Sequence, residues 1–189
     1  MQVIVEAPIN SLSFGNVSYN ILRQFWRRGI DVLFFPLGGN LDVKAFDKID
    51  PDFKNWLETS ARTATSKLDR DIPAFKMWHL NGSQARIGGG KQILYTFYEL
   101  DEPTQEEINI AKIQNKTIFS SSYSSNQFKD KNVDCLNIPI GFDEDFHKTN
   151  KKYLDENIVH FGLMGKFEKR KHTDKIIKLW LSKYGNNPK

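Results

Sequence analysis

Short apolar runs alternate with polar or amphipathic segments along most of the chain. Six runs have the length and composition of buried strands: QVIVEA, IDVLFFP, FKMWHL, QILYTFY, KTIFS and VDCLNIPI, which begin at residues 2, 30, 75, 92, 116 and 133. Helical signals occupy the intervening segments 16–28, 52–68, 104–114 and 121–128. This alternation predicts an α/β fold in which helices flank a mainly parallel sheet.

Two of the predicted helices carry signals at their ends. Gly29 follows the first helical segment and is predicted to terminate it, because glycine readily adopts the conformation found just past a helix C-terminus. Thr104 and Glu107 have the T-x-x-E spacing of a capping box, which predicts that a helix starts after Thr104.

The end of the chain departs from this regular alternation. Polar and charged residues fill 142–157, which is typical of an interdomain linker. We therefore expect a first domain over 1–145, a linker over 146–156 and one extra β–α unit over 157–189. One strand and one helix cannot form an independent core. The extra unit therefore either docks on the first domain or belongs to a domain that is truncated in this chain.

Within the extra unit, a strand is predicted over 157–165. Thr173 is predicted to cap a helix that carries Ile176, Ile177, Trp180 and Leu181 and that Gly185 closes.

Composition limits the class of protein. A chain of 189 residues suits one large domain, or one domain with part of another. The single cysteine, Cys135, excludes an internal disulfide framework and fits a reducing compartment. No apolar run approaches the roughly 20 residues that span a bilayer, and the N-terminus lacks the features of a signal peptide. We therefore expect a cytoplasmic protein without a transmembrane segment.

The net charge of +4 is unevenly distributed. Residues 160–189 hold eight of the 27 Lys and Arg residues but only two of the 23 Asp and Glu residues. The rest of the chain is slightly acidic, unlike a domain that binds nucleic acid over a basic face. No nucleic-acid partner is expected.

Three loops are candidate sites, because ligands of open parallel sheets bind at the carboxyl ends of the strands. In the loop 8–16, Gly15 permits close backbone approach, and the helix start at Asn16 offers amides to a polar or anionic group. The alternative is an ordinary connection between a strand and a helix.

The second loop follows QILYTFY and contains Glu99, Asp101 and Glu102. Carboxylates at this position could contact sugar hydroxyls or act as a base. Acidic residues before a helix also complement its dipole. That explanation suits Glu99 less well, because Glu99 lies five residues before Thr104.

The third loop lies in HFGLMGKFEKRKHT, residues 160–173, where Lys166 and Lys171 flank a predicted turn before a helix. Two ammonium groups beside free helix amides could hold a diphosphate. A solvated basic turn is the alternative. The stretch is not a P-loop, which needs four residues between its glycines and Ser or Thr after the lysine.

Other signals are less specific. Asp69 and Asp71, like Asp143 and Asp145, have the D-x-D form of a metal and sugar-nucleotide site, but short acidic pairs are common by chance. The four histidines show no metal-ligand spacing, so no metal is expected. His79 ends a predicted strand and could face the cleft or pack in the core.

Two stretches resemble the N-terminal half of GT-B glycosyltransferases of the family 4, or group 1, type. In that family a strand ending in a Thr-x-(His/Glu) element precedes a helix, an S-x-x-x-x-x-x-F helix follows, and a strand then ends in a P-x-G-(V/F)-D turn. Residues 92–143 resemble this order, and IPIGFD is similar to the closing turn. GKFEKRKH, residues 165–172, resembles the family's G-K-W-E-K-R-K-G variant at the start of the C-terminal domain. Phe167 replaces the usual Trp, and His172 replaces the closing Gly.

The resemblance implies a Rossmann-like acceptor domain followed by the start of a donor-binding domain. Such enzymes transfer a sugar from a nucleoside diphosphate sugar to a hydroxyl of a glycan, a lipid-linked or another acceptor. They retain anomeric configuration, and they need no metal and no cofactor beyond that co-substrate. Gly165, Lys166 and Lys171 would bind the donor diphosphate, and Glu99 would be the catalytic contact to acceptor or reacting sugar. The cleft would be lined by Gly15, Asn16 and His79. As an incomplete portion, the chain would be inactive alone.

Two alternatives from other classes remain. The chain could be a non-catalytic Rossmann-like binding module whose basic tail holds a polyanion, which predicts strongly salt-dependent binding. It could also be an enzyme that uses Asp69 and Asp71 on a metal, which predicts inhibition by a chelator.

Overall fold

The structure is a computed structural model that describes residues 1–44, 46, 48–88, 90–142, 152, 154–155 and 157–185. The chain divides into two compact units, Met1–Asp143 and Glu144–Lys189. Most of the predicted linker over 146–156, and the acidic pair Asp143 and Asp145, lie outside the described residues.

The first unit is built on a six-stranded sheet in which every neighbouring pair of strands is parallel. The strands are β1 (Gln2–Ile9), β2 (Asp31–Leu41), β3 (Ala74–Met77), β4 (Gln92–Thr96), β5 (Lys116–Phe119) and β6 (Cys135–Asn137). Their order is β2-β1-β3-β4-β5-β6. The predicted α/β, Rossmann-like parallel sheet is therefore confirmed.

Four helices pack against this sheet: α1 (Ser13–Arg27), α2 (Pro51–Thr63), α3 (Gln105–Lys112) and α4 (Ser122–Lys129). Both predicted end signals are confirmed. Gly29 has a φ of +63°, and Thr104 forms the complete capping box with Glu107.

Alternating residues of the strands supply two large apolar cores, and Ile4, Leu33, Ala64 and Ala74 form a third, smaller cluster. Val5 and Phe34 pack with residues of α1 and α2, whereas Leu94 and Phe119 pack with residues of α3 and α4. The strand register places Leu94 on the face that carries Ile4, opposite Val5. The two helix pairs therefore cover opposite faces, as expected for strands that lack the strict alternation of a half-exposed sheet.

A buried ion pair joins the neighbouring strands β1 and β3. Glu6 of β1 is the register partner of Lys76 of β3. The Nζ of Lys76 lies 3.0 Å from Oε1 of Glu6 and donates a hydrogen bond of 3.1 Å to the carbonyl oxygen of Ala85. Lys76 is only 1% exposed, so this ammonium depends on those two partners.

Two loops pack closely against each other at the amino ends of β3 and β4. The glycine-rich stretch before β4 lies against residues 70–72, which precede β3. A β-carbon on Gly90 would stand 2.7 Å from the carbonyl oxygen of Ile72, and Gly88 has a φ of +86°. These glycines therefore serve a close approach of two loops.

The second unit contains a 3-10 turn, Lys169–Lys171, and the helix α5 (Thr173–Tyr184). The strand predicted over 157–165 is wrong, because those residues form no strand. The apolar run IVHFGLM has strand-like composition, but a strand also needs a neighbour to receive its backbone hydrogen bonds. Among the described residues of this unit there is no such neighbour.

The start of α5 also differs from the prediction. Thr173 is the first helical residue rather than the cap, and the N-cap position belongs to His172. His172 adopts a left-handed conformation with a φ of +52° and makes no side-chain capping bond.

Candidate functional site

In the first unit, a cavity of about 670 Å³ opens at the carboxyl ends of β1, β3 and β4. The chain places β2 on one side of β1 and β3 on the other, so the direction of winding reverses between β1 and β3. Ligands of open α/β sheets bind at such a reversal. The walls come from the start of α1, from the segments after β3 and β4, and from α3: Ser13, Phe14, Trp78, His79, Leu80, Asn81, Phe97, Tyr98, Glu99, Leu100 and Glu107.

Aromatic rings form a continuous part of the wall. The ring of Phe14 stacks on Phe97 with centroids 4.4 Å apart and lies 5.8 Å from the ring of Trp78. His79 contacts both, at 4.5 Å from Phe14 and 5.1 Å from Trp78. A surface of this kind can pack against the apolar face of a flat or ring-shaped ligand.

The polar groups of the wall include Glu99 and His79. Both side chains are exposed, and neither forms a hydrogen bond or ion pair within the part of the chain that the structure describes. The predicted site residues Glu99 and His79, 20 positions apart in sequence, therefore line one cavity. His79 faces this cavity rather than the core, and both groups are available to a ligand.

Glu107 links the loops that follow β3 and β4. Its Oε1 accepts a hydrogen bond of 3.1 Å from the amide of Asn81. Its Oε2 accepts one of 3.1 Å from the hydroxyl of Tyr98, and the backbone and hydroxyl of Thr104 donate to the same oxygen. Glu107 is 4% exposed, so a capping residue also holds two cavity walls together.

These contacts set the ionisation of the pair. Burial alone would raise the pKa of Glu107, but the hydrogen bonds from Thr104, Tyr98 and Asn81 outweigh it and lower the pKa. Burial, together with the hydrogen bond to Glu107 and the charge of that carboxylate, raises the pKa of Tyr98 well above its ordinary value. Glu107 is therefore the anion and Tyr98 the neutral donor.

The lowered pKa of Glu107 predicts a loss of stability in acid. Its contribution to the free energy of unfolding is fully present above the unfolded carboxyl pKa of about 4.3, and it disappears as pH falls through the lower folded pKa. Urea unfolding of the wild type and Glu107→Gln between pH 7 and pH 2.5 should show a smaller acid-induced decrease in the variant. Identical pH profiles would contradict the assigned contacts.

The predicted cleft residues of the first loop do not line this cavity. Gly15 is buried, and the space beside its α-carbon is filled by the backbone and side chain of Asn10. Asn16 is exposed and accepts a hydrogen bond of 3.1 Å from Asn20. Ser13 and Phe14 line the cavity instead. The helix prediction started three residues late, which hid the fact that these two positions open α1.

The second candidate site lies in the second unit, between Gly165 and α5. The backbone turns tightly there: the amide of Glu168 bonds the carbonyl oxygen of Lys166 at 2.8 Å, and the amide of Lys171 bonds that of Glu168 at 3.0 Å. Glu168 also forms an ion pair with Arg170 at 2.8 Å. Lys166 and Lys171 are exposed and have no ion-pair partner among the described residues.

Two unusual backbone conformations shape this loop. Gly165 has a φ of +136°, and a β-carbon there would lie 3.2 Å from Cδ of Lys171. The side chain of Lys171 therefore lies beside Gly165. His172 occupies a left-handed position, which glycine adopts most easily, so the chain makes here the turn that a closing glycine would allow.

The metal hypothesis receives no geometric support at the cavity. Asp69 and Asp71 precede β3 and therefore lie at the amino ends of the strands, opposite the cavity. There, Oδ1 of Asp69 accepts a hydrogen bond of 3.0 Å from the backbone amide of Asp71. Within the described ranges, no three His, Cys, Asp or Glu side chains are grouped as metal ligands.

No helix in the described part of the chain has both the length and the apolar character needed to cross a membrane. Comparison of the chain with known protein families, with curated proteins and with solved structures finds no match.

Proposed function

We propose that the chain is part of a GT-B glycosyltransferase of the family 4 type. In this proposal a glycosyl group passes from a nucleoside diphosphate sugar to an acceptor hydroxyl, with retention and without a metal. The observation that carries it is the cavity at the β1/β3 reversal, where Glu99 and His79 stand beside a wall of aromatic rings.

The composition of the cavity supports a saccharide acceptor. The partly exposed rings of Trp78 and Phe97 offer apolar surface to the C–H face of a sugar, and Glu99 offers a carboxylate to its hydroxyls. Pockets of this size commonly combine apolar walls with a few placed polar groups. In this role Glu99 orients the acceptor or the reacting sugar.

The basic loop of the second unit, residues 165–172, supports the proposal that this unit binds the donor diphosphate. Glu168 is engaged by Arg170, which leaves Lys166 and Lys171 to meet an anion. No side chain caps the first turn of α5, so its amides can add to the positive potential. A leaving diphosphate gains most from donors that are already in place before the bond breaks.

Lysine substitutions test the donor part of the proposal. Lys166→Ala and Lys171→Ala are each expected to weaken binding of uridine or guanosine diphosphate about tenfold, because each removes a charge-assisted hydrogen bond. Isothermal titration calorimetry with residues 1–189 measures this. Nucleoside diphosphate sugars should compete for the site.

The matched control is Lys178→Ala. Lys178 is an exposed lysine of α5 whose Nζ lies 4.0 Å from Asp174, and its loss should change affinity less than twofold. Equal effects of all three substitutions would indicate general attraction of anions. Binding to heparin without binding to nucleoside diphosphates would instead support the polyanion-binding module.

A further inference from the structure

The walls of the cavity carry more negative than positive charge. The carboxylates of Glu99 and Glu107 both line it, and among the residues that the structure describes no lysine or arginine does so. The N-termini of α1 and α3, which begin at Ser13 and Gln105, each amount to roughly half a positive charge. About one net negative charge therefore remains at these walls.

Glu107 and Glu99 contribute this charge in different ways. Glu107 is buried and already accepts hydrogen bonds from the loops after β3 and β4 and from Thr104. Its lowered pKa is caused by hydrogen bonds and not by a basic side chain, so its charge is stabilised without being neutralised. Glu99 is exposed and makes no hydrogen bond or ion pair within the described ranges. It is therefore the carboxylate that a cationic group can contact directly.

Aromatic rings stand beside these carboxylates. Trp78, Phe97 and Tyr98 line the cavity and are partly exposed. The face of an aromatic ring attracts a cation, and a tryptophan ring does so most strongly. The Trp78 indole, the His79 ring and the second N–H of the Asn81 amide also place hydrogen-bond donors here, so the cavity can bind hydroxyl groups as well. Ring faces next to an accessible carboxylate favour a ligand that also carries an organic ammonium group.

We propose that this cavity recognises an organic ammonium group, with Glu99 as its ion-pair partner and Trp78 as the ring that packs against it. His79 and Asn81 then serve the neutral hydroxyl groups of the same ligand. In terms of the proposed function, the acceptor is an amino sugar whose amine is free and protonated. The inference deepens that proposal and rests on it for the identity of the ligand as a sugar, whereas recognition of the cation can be tested without a sugar.

Choline and its neutral isostere dimethylbutanol, in which carbon replaces the nitrogen, test recognition of the charge. The two molecules have the same shape, and only choline is cationic. Ligand-observed NMR titration with residues 1–189 at pH 7 measures both affinities. This pH lies above the ordinary histidine pKa of about 6.5, so that an ordinary imidazole is mainly neutral. We expect choline to bind about tenfold more tightly than dimethylbutanol.

Methyl glucosaminide and methyl N-acetylglucosaminide test the sugar. The first carries a free amine that is protonated at pH 7, and in the second acetylation has converted the amine into a neutral amide. We expect the free amine to bind about tenfold more tightly. The amide has the larger surface to bury, but it cannot form the ion pair with Glu99.

Glu99→Gln and Trp78→Leu assign the two contacts. Glu99→Gln keeps the size of the side chain but removes its charge, and it should reduce the preference for choline over dimethylbutanol below about threefold. Trp78→Leu keeps an apolar side chain but removes the ring face, so it should weaken choline binding more than dimethylbutanol binding. An equal loss for both ligands would contradict the ring contact. Both residues lie outside the strands, and thermal denaturation checks that the variants fold.

Glu106→Gln is the matched control. Glu106 is an exposed carboxylate in the first turn of α3, next to Glu107, and it does not line the cavity. Its substitution changes the net charge by as much as Glu99→Gln does, but the preference for choline should change less than about twofold, because solvent and salt screen an exposed charge. An effect as large as that of Glu99→Gln would show general attraction of cations and would overturn the assignment to Glu99.

Two further results would overturn the inference: choline binding no tighter than dimethylbutanol, or an equal preference in wild type and Glu99→Gln. Equal binding of the two sugars would overturn the assignment of an amino sugar. The diphosphate titration is a separate test, because Lys166 and Lys171 do not line this cavity. If the lysine variants leave diphosphate binding unchanged, glycosyl transfer loses its support and the cation preference of the cavity stands.

Discussion

Lys76→Ala is expected to lower the free energy of unfolding by about 3–5 kcal/mol, because it leaves the carboxylate of Glu6 buried without its partner. The substitution also removes the donor to the carbonyl oxygen of Ala85 and vacates buried space beside Glu6. Urea denaturation at pH 7 measures the change. A loss below about 1 kcal/mol would contradict the burial and pairing described for Lys76.

Two controls define the cause of that loss. Lys54→Ala breaks an exposed pair, 3.9 Å from Glu58, and should cost no more than about 0.5 kcal/mol. The double variant Glu6→Leu with Lys76→Met removes both charges while keeping volume, and should recover most of the stability lost in Lys76→Ala. Recovery would assign the cost to the unpaired charge rather than to the cavity.

Gly15→Ala is expected to destabilise the first unit by about 2–4 kcal/mol. The position lies inside α1, where helix propensity alone favours alanine by about 1 kcal/mol. A β-carbon at Gly15, however, would overlap the backbone and side chain of Asn10. The sign of the measured change therefore decides between propensity and packing.

The neighbouring residue supplies the control. Asn16→Ala changes an exposed position in the same helical turn, and its effect should stay within about 0.5 kcal/mol. Because Gly15 follows Ser13 and Phe14, the strained variant should also distort the cavity wall. A Gly15→Ala protein that is more stable than the wild type would refute the close packing of Asn10.

Sequence patterns predicted the elements better than the places where they end. The run FKMWHL was predicted as one strand, yet β3 stops at Met77, and Trp78 leaves the sheet to line the cavity. A buried strand and an apolar ligand wall look alike in composition. The buried charge of Lys76 was equally invisible, because it depends on Glu6 in another strand.

The candidate site was predicted in part for the same reason. The rule that ligands meet the carboxyl ends of parallel strands placed Glu99 and His79 at one edge. The strand order, and with it the reversal between β1 and β3, does not follow from one sequence, because it needs pairing information. Glu107 was predicted only as a capping residue, since its bond to Asn81 spans 26 positions.

The amino and carboxyl ends of the strands differ in how readily the residues beside them can be substituted. At the amino ends, Gly90 lies so close to the carbonyl oxygen of Ile72 that no larger residue fits. At the carboxyl ends, the wall is made of side chains that take no part in strand pairing. A library that varies Trp78, His79 and Glu99 while keeping Glu107 would leave every strand register intact. The sheet is therefore a scaffold whose cavity surface can be varied at these three positions separately from its folding.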